Sequence, residues 1–323
     1  MTADSSNRTK VMQTTAVTVL VCASGIGVVT GLHGIDWAKL GAALIGLLLL
    51  PLALALAVST LQVFGQLGRF AVLLPGAEGR PLGELLDATA IGQLLNYATP
   101  LRSGDAYKVL RLSAHREVSS GRASLLVAAL VAERAADVVA LLVVTGWASL
   151  STLARWEGRW GVPRLSANGA AIGAAVVAGA LAAGAWVAAS RRPPKILMRL
   201  AGDVWGAVSS RRFAWCIAVA LVTWCLDAGT LWWTSRAGGI AIPFRGAMQA
   251  VFLLNLGIAV PITAGNVGVF EAALAFALTQ QGIPPERALV IATVEHLAKF
   301  AGLALCIGML RVNAARAVAS SST

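Results

Sequence analysis

The stretch that decides the fold is LLNYATPLRSGD, residues 94–105, which interrupts an apolar segment with a proline, a glycine and charged side chains. Proline lacks an N–H and ends the helix before it, and glycine permits a tight turn. Residues 82–110 therefore predict two short helices instead of one membrane span. We expect a re-entrant hairpin, because broken backbone is tolerated in a bilayer only where protein or water surrounds it.

A second interrupted stretch matches the first. LLN at 253–255 and VPITAGN at 260–266 lie inside the apolar region 244–280, which predicts a second hairpin. The matching positions are 161 residues apart and are Pro100 with Pro261, Gly104 with Gly265, and Asp105 with Asn266. Asp105 and Asn266 suit the N-cap of the returning helix, and an exposed helix start also attracts anions.

Each break is followed by a span with ionisable residues near its middle. The two strings are Glu133-Arg134-x-x-Asp137 and Glu295-His296-x-x-Lys299. Charged groups at this depth are costly, so they face the bundle interior and pair, conduct or contact substrate. A buried network that only locks the helices together is the alternative. Asp227 in another span is a further candidate for the same cavity.

The candidate residues fall into two sets. Beside the first break, Arg102 suits a phosphate clamp, and an arginine reaching from a helix end to the membrane surface is the alternative. The candidate substrate-binding residues are Asn96, Arg102, Asp105, Glu133, Arg134, Asp137, Asn255, Asn266, Glu271, Glu295 and Lys299. The hairpin breaks are Pro100, Gly104, Pro261, Gly265 and Gly268.

Composition indicates a membrane protein. The 323 residues are 57% hydrophobic and 13% charged, and the net charge is +11. A soluble domain carries about 25% charged residues, and disorder needs low hydrophobicity, so a soluble enzyme and a disordered chain are both excluded. No basic stripe lies outside the apolar runs, so no nucleic-acid partner is expected. No nucleotide loop, zinc-protease motif or metal-ligand spacing is present, so we expect no enzyme, cofactor or metal.

Six spans and the two hairpins predict an all-α integral membrane protein. The spans are 14–32, 41–64, 121–150, 168–189, 213–234 and 288–310. They form one membrane domain, 14–310, between cytoplasmic tails at 1–13 and 311–323, and an amphipathic cytoplasmic helix is expected near 193–210. Three crossings lie between the hairpins, so the second enters from the opposite side. This pattern is typical of an inverted repeat whose broken helices meet around a substrate.

Basic residues set the orientation. With both termini in the cytoplasm, the cytoplasmic segments hold 16 Lys and Arg residues, including Arg69 and Lys108, and the outside segments hold 7. This bias follows the positive-inside rule and places anionic lipids against the basic cytoplasmic loops.

The motifs around both breaks resemble those of a known family. Asn96…Pro100-x-Arg102-x-Gly104-Asp105, Glu133-Arg134-x-x-Asp137 and the string from Gly265 to Glu271 are similar to the membrane domain of bacterial lysyl-phosphatidylglycerol synthases and their stand-alone flippase-like relatives. The resemblance covers about residues 40–310. This chain departs from it at Gly104-Asp105, where the family usually has Gly-Glu, and at Thr263-Ala264-Gly265, where Pro-Gly-Gly is favoured.

The resemblance implies a prokaryotic plasma-membrane protein that moves a polar-headgroup lipid between leaflets. The lipid is a phospholipid, an aminoacyl-phospholipid or a polyprenyl-phosphate-linked lipid. The aminoacyl-transfer domain of the synthases is not in this sequence, so lipid synthesis is not expected. Two other hypotheses stay open: a proton- or ion-coupled transporter of a small solute, and a non-transporting partner of a lipid-modifying glycosyltransferase or synthase. The partners left open are a second copy of the chain and such an enzyme.

Overall fold

The computed structural model describes residues 37–74, 82–98, 103–114, 120–153, 195–258 and 263–321, and they form helices without strands. The first half holds α1 (Trp37–Ile45), α2 (Leu49–Leu73), α3 (Leu82–Ala98), α4 (Ser103–Ala114) and α5 (Ser120–Leu153). The second half holds α6 (Lys195–Val208), α7 (Arg211–Ala237), α8 (Phe244–Gly257), a 3₁₀ turn (Ala264–Asn266), α9 (Val269–Thr279) and α10 (Pro285–Ser321). The predicted spans 14–32 and 168–189, the tail 1–13, and Pro100, Arg102 and Pro261 lie outside the described residues.

Three of the described helices are long and apolar enough to cross a membrane. They are α2, α7 and the part of α10 from Pro285 to Asn313. The protein is therefore a helical membrane protein. The span predicted at 121–150 corresponds to α5, whose 34 residues include the three mid-helix charges of Glu133, Arg134 and Asp137.

The helices of the second half follow the same order as those of the first. In each half a short helix precedes a long helix, two short helices and another long helix. The helices α7 and α8 begin 162 residues after α2 and α3, respectively. This spacing agrees within one residue with the offset between the two breaks in the sequence.

Each interrupted region forms two short helices packed against each other. A Cβ on Gly104 of α4 would overlap the backbone carbonyl of Gly92 of α3, and a Cβ on Gly257 of α8 would lie 2.6 Å from that of Ala273 of α9. The four helices have 17, 12, 14 and 11 residues, fewer than the ~20 that cross a bilayer. We call α3 with α4 the first hairpin and α8 with α9 the second. That each enters and leaves by one membrane face stays a prediction.

The end of α3 in the first hairpin and the 3₁₀ turn before α9 in the second, which we call the hairpin tips, meet inside the protein. A Cβ on Gly265, whose φ is +63°, would lie 2.8 Å from the carbonyl oxygen of Tyr97 at the end of α3. The Tyr97 ring packs 5.1 Å from that of Phe300 on α10. The long helices α2 and α7 pack beside this junction, where Gly65 leaves room for Thr223. Small residues let membrane helices approach closely in this way.

The span predicted at 41–64 has the wrong bounds. The helix α1 ends at Ile45, residues 46–48 are not helical, and α2 then runs from Leu49 to Leu73. The N–H of Leu48 donates to the carbonyl oxygen of Ala237 at 2.9 Å, a tertiary contact. Hydropathy is uniform across this break, so the apolar pattern could not locate it.

Two segments predicted to lie outside the membrane spans can be compared with the structure. The amphipathic helix expected near 193–210 is present as α6, where Ala207 and Val208 pack on the core and Trp205 is 74% exposed. The predicted tail 311–323 is a continuation of α10 as far as Ser321. An apolar pattern ends where the residues become polar, but a helix continues as long as its backbone hydrogen bonds continue.

Candidate functional site

A polar cavity of about 290 Å³ lies where the hairpin tips meet α2, α5, α7 and α10. Its charged and amide-bearing lining residues are Gln62, Gln66, Arg69, Gln93, Asn96, Lys108, Glu133, Arg134, Asp137, Asp227, Asn255, Asn266, His296 and Lys299. Three predicted site residues, Asp105, Glu271 and Glu295, stand behind this lining and pair with residues that belong to it. The structure therefore brings the described candidates together around one space.

Asp105 of α4 is the centre of one side of the cavity. Its carboxylate accepts from Nη2 of Arg134 at 3.0 and 3.1 Å and from Nδ2 of Asn96 at 3.3 Å. Nζ of Lys108, a side chain only 2% exposed, lies 3.4 Å away. Asp105 therefore joins both helices of the first hairpin to α5.

Arg69 of α2 completes this side. Its Nη1 contacts the carboxylate of Asp137, and its Nη2 lies 3.8 Å from Oε1 of Glu133. Nη1 of Arg134 lies 3.6 Å from Asp137. We call Arg69, Asp105, Lys108, Glu133, Arg134 and Asp137 the first charged cluster. Among the described residues it holds three cations and three carboxylates, so its formal charge is zero.

Lys299 of α10 is the centre of the opposite side. Its Nζ lies 2.6 Å from Oδ1 of Asp227 on α7 and 3.7 Å from Oε1 of Glu295, one turn earlier on its own helix. Oε2 of Glu295 accepts from the hydroxyl of Thr234 at 2.9 Å. The predicted Glu295–Lys299 pair is present, and Asp227 belongs to it.

His296 ties α10 to the second hairpin. Its Nδ1 lies 2.7 Å from Oε1 of Glu271, whose Oε2 accepts from the N–H of Gly268 at 2.7 Å. The imidazole stacks on the ring of Phe270 with 4.1 Å between centroids. We call Asp227, Glu271, Glu295, His296 and Lys299 the second charged cluster.

The predicted N-cap roles of Asp105 and Asn266 are wrong. The helix α4 begins at Ser103, so Asp105 lies in its first turn and its side chain points to Arg134. Asn266 ends the 3₁₀ turn with φ of +54°, and Gly268 is the residue before α9. An exact cap depends on where the backbone turns, which residue type alone does not fix. Asn266 still lines the cavity, and its Oδ1 is buried without a hydrogen-bond partner among the described residues.

Arg69 and Lys108 are site residues that the sequence interpretation assigned to cytoplasmic loops. Both are buried in the cavity wall. Removing them leaves 14 cytoplasmic basic residues against 7 outside, so the direction of the bias is unchanged. One signal was available, since Gln62, Gln66 and Arg69 have i, i+4, i+7 spacing and form a polar stripe on an apolar helix. His296 was also missed, although it lies inside a quoted motif.

These features define a polytopic helical membrane protein with a charged cavity enclosed by broken helices. The family model described as the lysylphosphatidylglycerol synthase TM region matches residues 15–307. The chain therefore belongs to that family. Comparison with curated proteins and with solved structures finds no match.

Proposed function

We propose that this protein moves a lipid with a polar headgroup between the two leaflets of a prokaryotic plasma membrane. The observation that carries the proposal is the charged cavity between the hairpin tips, surrounded by helices whose outer faces are apolar. A headgroup loses its hydration when it crosses the hydrocarbon core, and fixed charges and amides replace the lost water. The acyl chains stay in lipid, and no chemical step is involved.

An apolar route beside the cavity supports entry from the membrane. Val138 of α5 lines the cavity and is 58% exposed. Val131 and Leu142, two turns before and one turn after Val138 on the same face of α5, are exposed as well. A lipid can keep its tails against this face while its headgroup reaches inward, which a small soluble solute does not need.

Arg134 is the side chain best placed to receive a phosphate. Its side chain is 40% exposed, whereas those of Arg69, Lys108 and Lys299 are nearly buried. A guanidinium can bind phosphate oxygens through two of its nitrogens, and Nη2 of Arg134 already contacts both carboxylate oxygens of Asp105. A phosphate that takes Arg134 leaves Asp105 paired with Lys108, so no carboxylate is left without a cation.

The repeated helix order supports a two-sided arrangement. We propose that the halves have opposite orientations in the membrane, with N- and C-termini in the cytoplasm, so that each hairpin lines the approach from one side. In transporters built from such repeats, the substrate site lies between the broken helices near the midplane.

The test is lipid exchange in liposomes containing the purified protein. A fluorescent phospholipid, an aminoacyl-phospholipid and a polyprenyl phosphate are supplied in turn, and the fraction reachable from outside is followed over time. We expect accelerated exchange of at least one lipid, loss of that acceleration in Arg134→Ala, and normal exchange in Arg311→Ala, whose side chain is 63% exposed and pairs with Asp87 away from the cavity. Exchange equal to that of empty liposomes for every lipid would overturn the proposal.

A further inference from the structure

The two charged clusters differ in their charge balance. The first has equal numbers of cations and carboxylates, whereas the second has three carboxylates, from Asp227, Glu271 and Glu295, against Lys299 and His296. If His296 is charged, it balances Glu271, and the two carboxylates of Asp227 and Glu295 still outnumber the single cation of Lys299 by one. If His296 is neutral, the excess is larger. Among the described residues, the second cluster thus carries at least one uncompensated negative charge in a buried place.

The contacts identify the carboxylate that carries the excess. Asp227 holds the ammonium of Lys299 at 2.6 Å, whereas Oε1 of Glu295 lies 3.7 Å from it. Glu295 is only 1% exposed, and the cation near its Oε1 is the Lys299 ammonium that Asp227 contacts more closely. A buried carboxylate whose cation is held by another carboxylate is costly, and binding a proton removes its charge.

We propose that Glu295 is a proton-binding site that couples lipid movement to the proton gradient. A proton that originates from water adds to Oε1 of Glu295, behind the cavity lining, and forms an O–H bond, so the triad of Asp227, Glu295 and Lys299 changes from −1 to neutral. Release of that proton to water on the other side restores the charge. This inference rests on the proposed function, because it adds an energy source to the same site.

The proton changes which helices Lys299 connects. With Glu295 ionised, the ammonium is shared between α7 and its own helix; with Glu295 neutral, Asp227 of α7 holds it alone. The next residue, His296, holds Glu271 of the second hairpin. One turn of α10 therefore carries the proton and also positions a hairpin, which gives a physical link between protonation and hairpin movement.

The groups around Glu295 and the neighbouring His296, Lys299 and Phe300 of α10 come from several helices. Asp227 and Thr234 belong to α7, Glu271 to α9, and Tyr97, whose ring packs on Phe300, to α3. The helix α2 presents uncharged side chains, with the hydroxyl of Ser59 donating to the carbonyl of Ala298. The helix α1 lies against the start of α10, beside Glu286 and Arg287.

The first experiment measures proton binding without transport. Infrared difference spectra between acidic and alkaline pH are recorded on the protein in lipid nanodiscs. We expect the carbonyl band of a protonated carboxyl group to be lost in Glu295→Gln and kept in Glu286→Gln, a matched change on the same helix. Glu295→Asp keeps a titrating group and should retain a shifted band, even if the glutamine variant folds poorly. A band that persists unchanged in Glu295→Gln, or no such band in the wild type, overturns the proposal.

The second experiment imposes a pH gradient on the liposomes. Coupling of one proton per lipid predicts about tenfold accumulation of lipid in one leaflet for each pH unit, reversing with the gradient. Glu295→Gln should lose this accumulation, and Glu286→Gln should keep it. Lipid exchange that does not depend on the pH gradient overturns proton coupling but still supports lipid translocation. No exchange of any lipid overturns translocation and coupling, and the infrared band then decides only whether Glu295 binds a proton.

Discussion

Arg134 and His296 lie 162 residues apart, and each pairs with a carboxylate on the second helix of a hairpin. Nη2 of Arg134 lies 3.0 Å from Asp105 of α4, and Nδ1 of His296 lies 2.7 Å from Glu271 of α9. Each long helix, α5 or α10, thus contacts the hairpin of its own half through a basic side chain and a carboxylate. Loss of one pair should loosen that hairpin and leave the other in place.

Asp105→Asn should destabilise the first hairpin. The change removes the carboxylate shared by Arg134 and Lys108, and Lys108 is buried. Because Asp105 and Arg134 are partly exposed, we expect a loss of about 1–3 kcal/mol in the free energy of unfolding, less than the cost of breaking a fully buried pair. Denaturant titration in detergent measures it. The control is Asp87→Asn on the same hairpin, where the wild-type Asp87 pairs with the exposed Arg311. This change should lower the free energy of unfolding by under about 1 kcal/mol. Equal losses of unfolding free energy in the two variants would contradict the prediction.

Arg69→Leu should be more damaging, because it leaves two buried carboxylates without their α2 partner. Removal of one member of a buried pair costs about 3–5 kcal/mol. Adding Asp137→Asn to Arg69→Leu should recover part of that loss, since the carboxylate that contacts Arg69 is then uncharged. A double-mutant cycle on unfolding free energies measures the coupling. Strictly additive effects would show that the two side chains do not interact.

Gly104→Ala should prevent close packing of the first hairpin. The new methyl group would overlap the carbonyl of Gly92, which is backbone and cannot rotate away. We expect a clear fall in the thermal unfolding midpoint. Gly83→Ala is the matched control, because its Cβ has open space and alanine favours a helix by up to about 1 kcal/mol. The prediction fails if both variants unfold at the wild-type temperature.

Val138→Trp should slow lipid exchange several-fold. Val138 lines the cavity at the exposed face of α5, so a large ring there narrows the proposed route. Val139→Trp introduces the same ring one residue later, at a position that is exposed but does not line the cavity, and should exchange lipid at the wild-type rate. The liposome assay measures both rates. Equal rates in the two variants would argue for a route elsewhere.

The sequence predicted the hairpins better than the network around them. Proline and glycine act on the backbone next to them, so the breaks near Gly104 and Gly265 were visible in the residues alone. Glu133 and Glu295 were found because charge is rare inside an apolar run. Arg69 follows an apolar run and Lys108 lies near the end of the predicted first hairpin, where a loop is the simpler interpretation, and only the packing of α2 and α4 places them inside. The partners of each charge depend on contacts between distant segments, which no local pattern contains.

The close approach of Gly265 to Tyr97 limits how the hairpins can move. The gap between these backbones has no room for a methyl group, so neither tip can advance toward the other. The tips can separate or travel together, but they cannot slide past each other without breaking contact. In the proposed translocation, a headgroup that crosses between the hairpins therefore has to separate these two backbones, and their close contact can form again only after the headgroup has left.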